Sequence, residues 1–218
     1  MTELLIKAAL GYLLGSIVGS LLVGRLRGGV DIRSLGSGNA GATNALRTQS
    51  KAFAFWVLLI DLGKGWIATG FLAPAQIPGI AAAPAHLHAW SVAVCGIAVM
   101  LGHIYPLWHG FRGGKGVATL VGTVLGAAPP FLVPMLVIWL LAVILFGFVG
   151  LASILGAVSF AVTVAASSIQ PRASLLTFAA LGAVLITFTH RGNIARMLAG
   201  TEPRARRLWL LGGAMSRS

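Results

Sequence analysis

A glycine-rich segment, residues 102–119, carries the first residues whose types and spacing could do chemistry. It interrupts an apolar stretch with His103 and His109 and with two cations, Arg112 and Lys115. Glycines allow tight turns and can leave backbone N–H groups open to a ligand. A helix predicted to begin at or just after Lys115 would add its positive N-terminal end. This combination suits a phosphate group, although a basic loop at the membrane edge fits the same residues.

A second polar segment, residues 36–47, reads Gly-Ser-Gly-Asn-Ala-Gly-Ala-Thr-Asn-Ala-Leu-Arg. Four of its side chains can donate hydrogen bonds to an oxyanion: Ser37, Asn39, Thr43 and Asn44. The guanidinium of Arg47 can bind a phosphate through two parallel hydrogen bonds. A turn followed by a helix cap is the alternative interpretation, but a turn alone does not require so long a run of small and polar residues.

A third polar segment follows the last apolar stretch and runs from His190 to Glu202. His190, Asn193 and Met197 are spaced so that they share one face of a helix. Gly200 is a plausible stop for that helix. Glu202 is the one carboxylate near these polar segments, so together the three segments predict a site that binds anions, and more than one phosphate.

Ionisable and hydroxyl side chains also occur inside the apolar stretches. Asp61 and Lys64 are three residues apart and can pair on one helix face, although a direct substrate contact by Lys64 is an alternative. His103 and His109 could orient their loop or touch substrate. Ser153 follows an uncharged junction that could admit an acyl chain. Its hydroxyl either reaches the site, caps a helix or bonds back to its own helix.

The composition is that of a polytopic membrane protein. The 218 residues are 57% hydrophobic and 9% charged, with a mean hydropathy of +0.92. A soluble domain carries about 25% charged residues. We therefore expect one all-α integral-membrane domain over residues 1–218, with a basic tail at about 203–218. The net charge of +12 does not indicate nucleic acid, because the cations flank apolar stretches and fit topology signals and anion ligands better.

The apolar stretches predict about seven transmembrane helices. We place them at residues 4–24, 52–72, 86–104, 115–128, 130–148, 151–169 and 172–189. All Lys and Arg residues except Lys7, Lys64 and Arg172 fall in the first long loop, the loop containing Lys115, or the C-terminal tail. By the positive-inside rule those segments are cytoplasmic, so the N-terminus is predicted outside and the C-terminus inside.

Several enzyme classes are disfavoured by what the polar segments lack. No histidine is followed five residues later by aspartate, which excludes the His-x4-Asp acyltransferase pattern. Lys115 is followed by glycine, so the segment is not a Walker A loop. With four acidic residues in the chain, a two-metal site is improbable. A transporter for an organic phosphate and a non-catalytic lipid-binding scaffold remain competing classes, but the polar segments gather at one membrane face and no inverted repeat is visible.

At the level of whole motifs the chain resembles the bacterial membrane acyl-phosphate:glycerol-3-phosphate acyltransferases, the PlsY family. The matching motifs are residues 37–47, 61–65, 102–106, 111–119 and 190–202, with Arg112 where many relatives have lysine. The resemblance implies a seven-span fold with its active site at the cytoplasmic surface of the bacterial inner membrane. It implies acyl transfer from acyl phosphate to the 1-hydroxyl of glycerol 3-phosphate, giving lysophosphatidic acid and phosphate for phospholipid synthesis.

The resemblance also implies roles for individual residues. The expected catalytic residues are Ser37, Arg47, Lys115, His190 and Asn193. The expected substrate-binding residues are Gly38, Asn39, Gly41, Thr43, Asn44, Lys64, His103, Arg112, Gly113, Gly114, Gly116, Ser153 and Glu202. Within these sets, Ser37, Asn39, Thr43 and the glycine-rich amides would hold the acyl phosphate, and Arg47, Lys115, His190 and Asn193 would bind glycerol 3-phosphate.

The chemistry expected at such a site requires neither metal nor cofactor. An acyl phosphate is already activated, so the protein has to position two anions and stabilise the oxyanion and the leaving phosphate. We hypothesise that a phosphate oxygen of the substrate takes the hydroxyl proton, with His190 as the protein alternative. The expected partners are the two substrates, membrane lipid and an enzyme that produces acyl phosphate.

Overall fold

The computed structural model describes residues 1–205 and 209–210. Within these ranges the regular secondary structure is helical. The α-helices are α1 (Thr2–Gly15), α2 (Gly19–Leu26), α3 (Ala42–Thr48), α4 (Lys51–Ile67), α5 (Ala85–His88), α6 (Ser91–Ile104), α7 (Val117–Ala127), α8 (Leu132–Phe146), α9 (Val149–Ala166), α10 (Arg172–Thr189) and α11 (Arg191–Leu198). Short 3-10 turns occur at Ile32–Ser34, Leu107–His109 and Pro129–Phe131, and a π-helical turn extends α4 over Ala68–Leu72.

Five helical segments of the described chain are long and apolar enough to cross a membrane. They are Lys51–Leu72, Ala85–His109, Pro129–Phe146, Val149–Ala166 and Arg172–Thr189. The pair α1 and α2 would form a sixth span if it counts as one segment. Helix α7 is apolar but has 11 residues, which is short for a span of about 20 residues. The expected count of seven and the orientation of the termini therefore stay predictions.

The first predicted span is not one continuous helix. Helices α1 and α2 meet at an angle of 44°, and Val18 between them has an extended backbone. The break leaves the carbonyl oxygens of Gly15 and Ile17 without helical partners, and the Lys64 ammonium satisfies both, at 2.9 and 2.8 Å. The predicted span over residues 4–24 thus corresponds to two helices with a break between them, and an apolar pattern alone does not reveal the substitute donor that permits the break.

The other predicted spans correspond to observed helices with shifted ends. The third is divided into α5 and α6, and the fourth begins at Val117, two residues after Lys115. The sixth begins at Val149 and ends at Ala166, whereas the seventh matches α10 at both ends. Helix α11 stops shortly before Gly200, whose φ of +71° lies in the left-handed region that favours glycine.

Small residues bring the helices that carry the site close together. A Cβ at Gly15 would collide with the backbone of Val99, and one at Gly102 would collide with the carbonyl oxygen of Tyr12, so α1 and α6 touch along their backbones. A Cβ at Gly65 would likewise strike the Thr119 carbonyl oxygen, which brings α4 against α7. Such contacts stabilise helix pairs in lipid, where apolar burial alone gives little.

The largest apolar core lies where α6, α7, α9 and α10 pack together. Its aromatic centre is Phe160, which meets Phe131 and Phe178 edge to face at centroid distances of 5.9 and 5.8 Å. This core fixes the ends of α7 and α10 next to each other. That placement brings Lys115 and His190 to one site.

Candidate active site

The three polar segments and four apolar helices enclose a cavity of about 1330 Å³. The polar end is lined by residues from the first loop with α3, from the start of α7, and from α11 with the segment that follows it. The apolar part is lined by residues of α4, α7, α8 and α9. A cavity with one polar and one apolar region can hold a molecule that has a charged head and a hydrocarbon chain.

Asn44 organises the first polar loop from inside. Its side chain is buried, with 1% of its surface exposed. Its amide nitrogen donates to the carbonyl oxygens of Ile32, Leu35 and Asn39 at 3.0 Å each, and its amide oxygen accepts from the N–H of Ser37 at 2.9 Å. The amide therefore holds the loop in the shape that presents Ser37 to the cavity, and we infer a positioning role for it.

Gly36 is the glycine that this arrangement requires. Its φ is +56°, and a Cβ there would collide with the amide oxygen of Asn44 and press on the methyl group of Thr48. A larger residue would displace the amide that shapes the loop.

Arg33 joins the first polar loop to the second. Its guanidinium binds both carboxylate oxygens of Asp31 and also donates to the carbonyl oxygens of His109 at 3.0 Å and Arg112 at 2.8 Å. The bond from Arg33 lowers the pKa of the Asp31 carboxyl below its ordinary value. This bridge holds the two loops at a fixed spacing on the same side of the protein.

The glycines of the second loop serve packing. The N–H groups of Gly113 and Gly114 donate to the carbonyl oxygens of Ile104 and His103, at 3.0 and 3.1 Å. A Cβ on Gly114 would collide with the His103 ring. These two amides are therefore engaged within the loop, whereas Gly116, with φ of +87°, begins α7 at the cavity wall.

Asp61, Lys64 and His103 form a buried cluster beneath the polar end of the cavity. The Lys64 ammonium lies 3.0 Å from a carboxylate oxygen of Asp61 and 2.8 Å from His103 Nδ1, in addition to its two carbonyl partners. The same Asp61 oxygen accepts from the N–H of Gly19 at 3.0 Å. Every donor of Lys64 is thus used within the protein. This arrangement favours the structural ion pair over a direct substrate contact.

Lys115 belongs to a second charged network, which faces the cavity. Its ammonium donates to the amide oxygen of Asn193. The amide nitrogen of Asn193 donates to a Glu202 carboxylate oxygen at 2.6 Å, and Arg196 donates to the other oxygen at 2.7 Å. The hydroxyl of Thr189 donates to the Lys115 carbonyl oxygen at 3.0 Å, which fixes this lysine to the end of α10.

The environment of Lys115 weakens its hold on its proton. The pKa of its ammonium is lowered to about 8, mainly by burial and also by the nearby Arg196 guanidinium, while Glu202 acts in the opposite direction. An incoming phosphate would reverse this effect, because an anion stabilises the charged form of lysine.

His190 is neutral at pH 7 and has a defined tautomer. Its Nδ1 lies 2.8 Å from the Ile186 carbonyl oxygen, and since that oxygen can only accept, the proton is on Nδ1. Nε2 is then an acceptor. Burial, with a further contribution from Lys115, lowers the pKa of the imidazole to about 4, so it is suited to accept a hydrogen bond from a hydroxyl group.

Ser153 lies at the junction of the polar and apolar regions. Its hydroxyl donates to the Val149 carbonyl oxygen of its own helix at 2.9 Å, and the residue also lines the cavity. The bond to its own helix and the position at the site therefore coexist, and the hydroxyl oxygen still has lone pairs that can accept a hydrogen bond.

The apolar region of the cavity extends between α4, α7, α8 and α9. Its wall includes Leu58, Val121, Leu136, Trp139 and Gly156. Sequence reasoning did not identify these residues, because apolar side chains on a membrane helix look alike whether they face lipid or a cavity.

The comparisons with known proteins agree with this geometry. A family model described as glycerol-3-phosphate acyltransferase matches residues 5–200. The chain belongs to the glycerol-3-phosphate acyltransferase family. A Synechococcus glycerol-3-phosphate acyltransferase (strain JA-2-3B'a(2-13)) is 43% identical over 91% of this chain and 93% of the relative. The protein of that name from Jannaschia (strain CCS1) is 42% identical over 91% of each chain.

Solved structures show the same family fold. A crystal structure of PlsY, described as an integral membrane glycerol 3-phosphate acyltransferase in its glycerol 3-phosphate form, matches with a TM-score of 0.78. It is 33% identical, over 92% of this chain and 94% of that one. A lysophosphatidic acid form of PlsY matches with a TM-score of 0.77. The predicted family, the all-helical multi-pass membrane fold and the assignment as an acyltransferase are thus confirmed.

Most of the residues that the family resemblance singled out line this cavity. The lining includes Ser37, Asn39, Gly41, Thr43, Asn44, Arg47, His103, Lys115, Gly116, Ser153, His190, Asn193 and Glu202. Five expected substrate-binding residues lie outside the lining: Gly38, Lys64, Arg112, Gly113 and Gly114. Sequence reasoning left five polar members of the lining out of the expected site: Lys51, Asp61, Arg196, Thr201 and Arg204. The positions of all but Asp61 within or beside the cationic segments were a usable signal.

Proposed function

We propose that this family member transfers a fatty acyl group from acyl phosphate to the 1-hydroxyl of glycerol 3-phosphate. The hydroxyl oxygen forms an ester bond to the acyl carbon, and the bond from that carbon to the phosphate oxygen breaks. The hydroxyl proton passes to phosphate, so lysophosphatidic acid and inorganic phosphate are the products.

The observation that carries this proposal is the excess of cations at the cavity. Among the described residues, its lining has five cations: Arg47, Lys51, Lys115, Arg196 and Arg204. The Glu202 carboxylate offsets one of these charges, and Asp61 offsets none of them because it is already paired with Lys64. A phosphate monoester carries about −1.5 to −2 charges at pH 7, so two phosphate-bearing substrates would balance the remaining positive charge.

The apolar region of the cavity supports an acyl chain as the second part of the substrate. It begins beside Ser153 and continues past Trp139 and Gly156 on α8 and α9. A fatty acyl phosphate could place its head among the cations and its chain along these helices. The acyl carbon would then lie at the junction, within reach of glycerol 3-phosphate bound by the cations.

The relative basicity of the two groups favours a substrate phosphate over His190 as the base. With a pKa of about 4, the imidazole is a weaker base than a phosphate monoester dianion, whose pKa is about 6. We therefore infer that His190 orients the attacking hydroxyl through Nε2, and that a phosphate oxygen accepts the proton of this hydroxyl. Loss of binding to glycerol 3-phosphate in a His190→Ala variant supports this assignment, whereas full loss of turnover with normal binding contradicts it.

The proposal includes the membrane face at which the site lies and the source of its acyl phosphate. The segments that line the polar end of the cavity carry most of the Lys and Arg residues, so by the positive-inside rule we assign this end to the cytoplasmic face of the bacterial inner membrane. The activity would serve phospholipid synthesis, and it depends on an enzyme that produces acyl phosphate.

The test is phosphate release by purified protein in a lipid mesophase supplied with palmitoyl phosphate and glycerol 3-phosphate. We expect release that requires both substrates, appearance of lysophosphatidic acid, and a large loss of turnover in the Lys115→Ala variant. Folded protein that gives no product with acyl phosphate would overturn the choice of donor. Uptake of glycerol 3-phosphate into sealed vesicles without product would indicate a transporter.

A further inference from the structure

A short segment after α11 lines the cavity and contacts the junction between α8 and α9. This C-terminal strap comprises the described residues 201–205 and 209–210, and it lies beyond residues 5–200, the part matched by the family model. Residues 201–205 line the cavity. The N–H of Ala205 donates to the Gly147 carbonyl oxygen at 2.8 Å, and the Trp209 indole N–H donates to that of Leu145 at 3.2 Å.

Gly147 is suited to receive the strap. Its φ is +76°, and a Cβ at this position would lie 3.0 Å from Trp209 Cγ and 3.2 Å from Arg204 Cβ. The close approach of Arg204 and Trp209 to this junction therefore depends on the absence of a side chain at Gly147.

Arg204 is held at this junction by two aromatic rings. Its guanidinium carbon lies 4.8 Å from the ring centroid of Phe148 and 3.9 Å from that of Trp209. Among the described residues, no carboxylate lies within 4.0 Å of it, and Glu202 is engaged by Arg196 and Asn193. Stacking on ring faces leaves the in-plane N–H donors of a guanidinium available for an anion.

The position of this cation is notable because the junction itself has none. Residues 147–153 carry no charged side chain. Arg204, supplied from the strap, shares the cavity lining with Val149 and Gly150 of that junction and with Lys115. A phosphate-bearing amphiphile that enters between the apolar helices would meet Arg204 next to the cationic site.

We propose that Arg204 is a further substrate-binding residue, which binds the phosphate head of an amphiphile at the cavity opening, with acyl phosphate as the ligand. This inference rests on the proposed function for the identity of the substrate. Its chemistry, a bidentate guanidinium contact to a phosphate, would also serve an anionic lipid headgroup, and the experiment separates the two sources.

The test compares Arg204→Gln with Arg191→Gln. Arg191 is a matched control, because its guanidinium also stacks on an aromatic ring, 4.3 Å from the Phe188 centroid, but it does not line the cavity. Binding of hexadecyl phosphate and the KM for palmitoyl phosphate are measured in phosphatidylcholine vesicles, with and without phosphatidylglycerol. We expect Arg204→Gln to weaken the binding of hexadecyl phosphate by about 10-fold and to raise the KM for palmitoyl phosphate by about 10-fold. The KM for glycerol 3-phosphate should stay unchanged, and Arg204→Lys should recover part of the loss.

The outcomes are distinct. Weaker binding in pure phosphatidylcholine supports substrate as the ligand, whereas a defect that appears only with phosphatidylglycerol supports the headgroup of an anionic lipid. Equal behaviour of Arg204→Gln and Arg191→Gln overturns the inference. If the wild type binds hexadecyl phosphate through Arg204 but gives no product, the proposed function fails and the phosphate site stands.

Discussion

Two lysines near the polar end of the cavity, Lys64 and Lys115, have surroundings that differ in a way that separates structure from function. Lys64 is buried, with 3% of its side chain exposed, and its donors meet Asp61, His103 and two carbonyl oxygens. Lys115 is only partly buried and meets one neutral amide, that of Asn193. The first lysine has no donor left for a ligand, whereas the second is held in place with its charge only partly balanced.

The two clusters differ in their charge balance. The Asp61–Lys64 pair is internally neutral, so the protein needs no ligand to complete it. The Lys115 network is short of negative charge, because Glu202 serves both Asn193 and Arg196. A site with too few anions is suited to bind one, and a bound anion would raise the pKa of the Lys115 ammonium, which burial and the neighbouring Arg196 and Arg47 lower.

The largest effect is expected from breaking the satisfied cluster. Lys64→Ala leaves the Asp61 carboxylate buried without its partner and two carbonyl oxygens at the α1–α2 break without a donor. Removing one member of a buried ion pair destabilises by about 3–5 kcal/mol. The measurement is the midpoint of thermal unfolding in detergent, and we expect a large fall together with poor yield.

A double variant sharpens this test. Replacing Asp61 with Asn together with Lys64 with Met removes both charges, so it should recover part of the stability lost in the single variant. A single Lys64→Ala variant that unfolds like the wild type, but fails to bind substrate, would contradict the structural role of this lysine.

The second effect is expected from the unsatisfied cluster, and it concerns activity. Lys115→Ala removes a cation that lines the cavity and leaves Asn193 partly paired. Loss of one charge-stabilising donor at an active site typically reduces kcat by about 10²–10³. We expect a loss of that size in acyl transfer with little change in the unfolding midpoint, measured on the same preparation. A parallel loss of stability would remove the distinction between the two lysines.

The third effect follows from the pKa of Lys115, which burial lowers to about 8. The ammonium is charged below this pH and loses its proton above it, and phosphate binding requires the charged form. The value of kcat/KM for glycerol 3-phosphate reports the free enzyme, so it should fall about 10-fold from pH 7 to pH 9. Lys115→Arg should be less active but independent of pH over this range, since arginine stays charged. An unchanged alkaline limb in that variant would assign the limb to another group.

Several features of the fold and site could be predicted from the sequence alone. Apolar runs located the helices that pack around the site, because membrane helices must satisfy their backbone internally and show long apolar patterns. The three polar segments identified the cavity lining from Ser37 through Arg47, Lys115, His190 and Asn193. The spacing of Asp61 and Lys64 gave their ion pair, because residues three apart share a helix face.

What could not be predicted depends on contacts between distant parts of the chain. Lys64 satisfies the break near Gly15, 49 residues away, and no local pattern encodes that contact. Asn44 looked like a ligand, but its four hydrogen bonds turn inward onto the loop. Gly113 and Gly114 were expected to offer free amides, but their N–H groups donate to the carbonyl oxygens of Ile104 and His103. A polar residue type shows what a side chain can do, and only the packed structure shows whether that capacity is already used.

The smallest effect is expected at Arg112, and it tests the same distinction within one loop. Its side chain is exposed and lies outside the cavity lining, while its carbonyl oxygen accepts from Arg33. Arg112→Ala should therefore change kcat/KM by no more than about 2-fold, the range of ordinary surface substitutions. Arg33→Ala, which removes the bridge between the two polar loops, should lower the free energy of unfolding by about 1–3 kcal/mol and reduce activity. If Arg112→Ala instead raises the KM for glycerol 3-phosphate as strongly as Lys115→Ala, this loop closes onto the substrate. Arg112 would then belong with Lys115 among the cations that bind substrate.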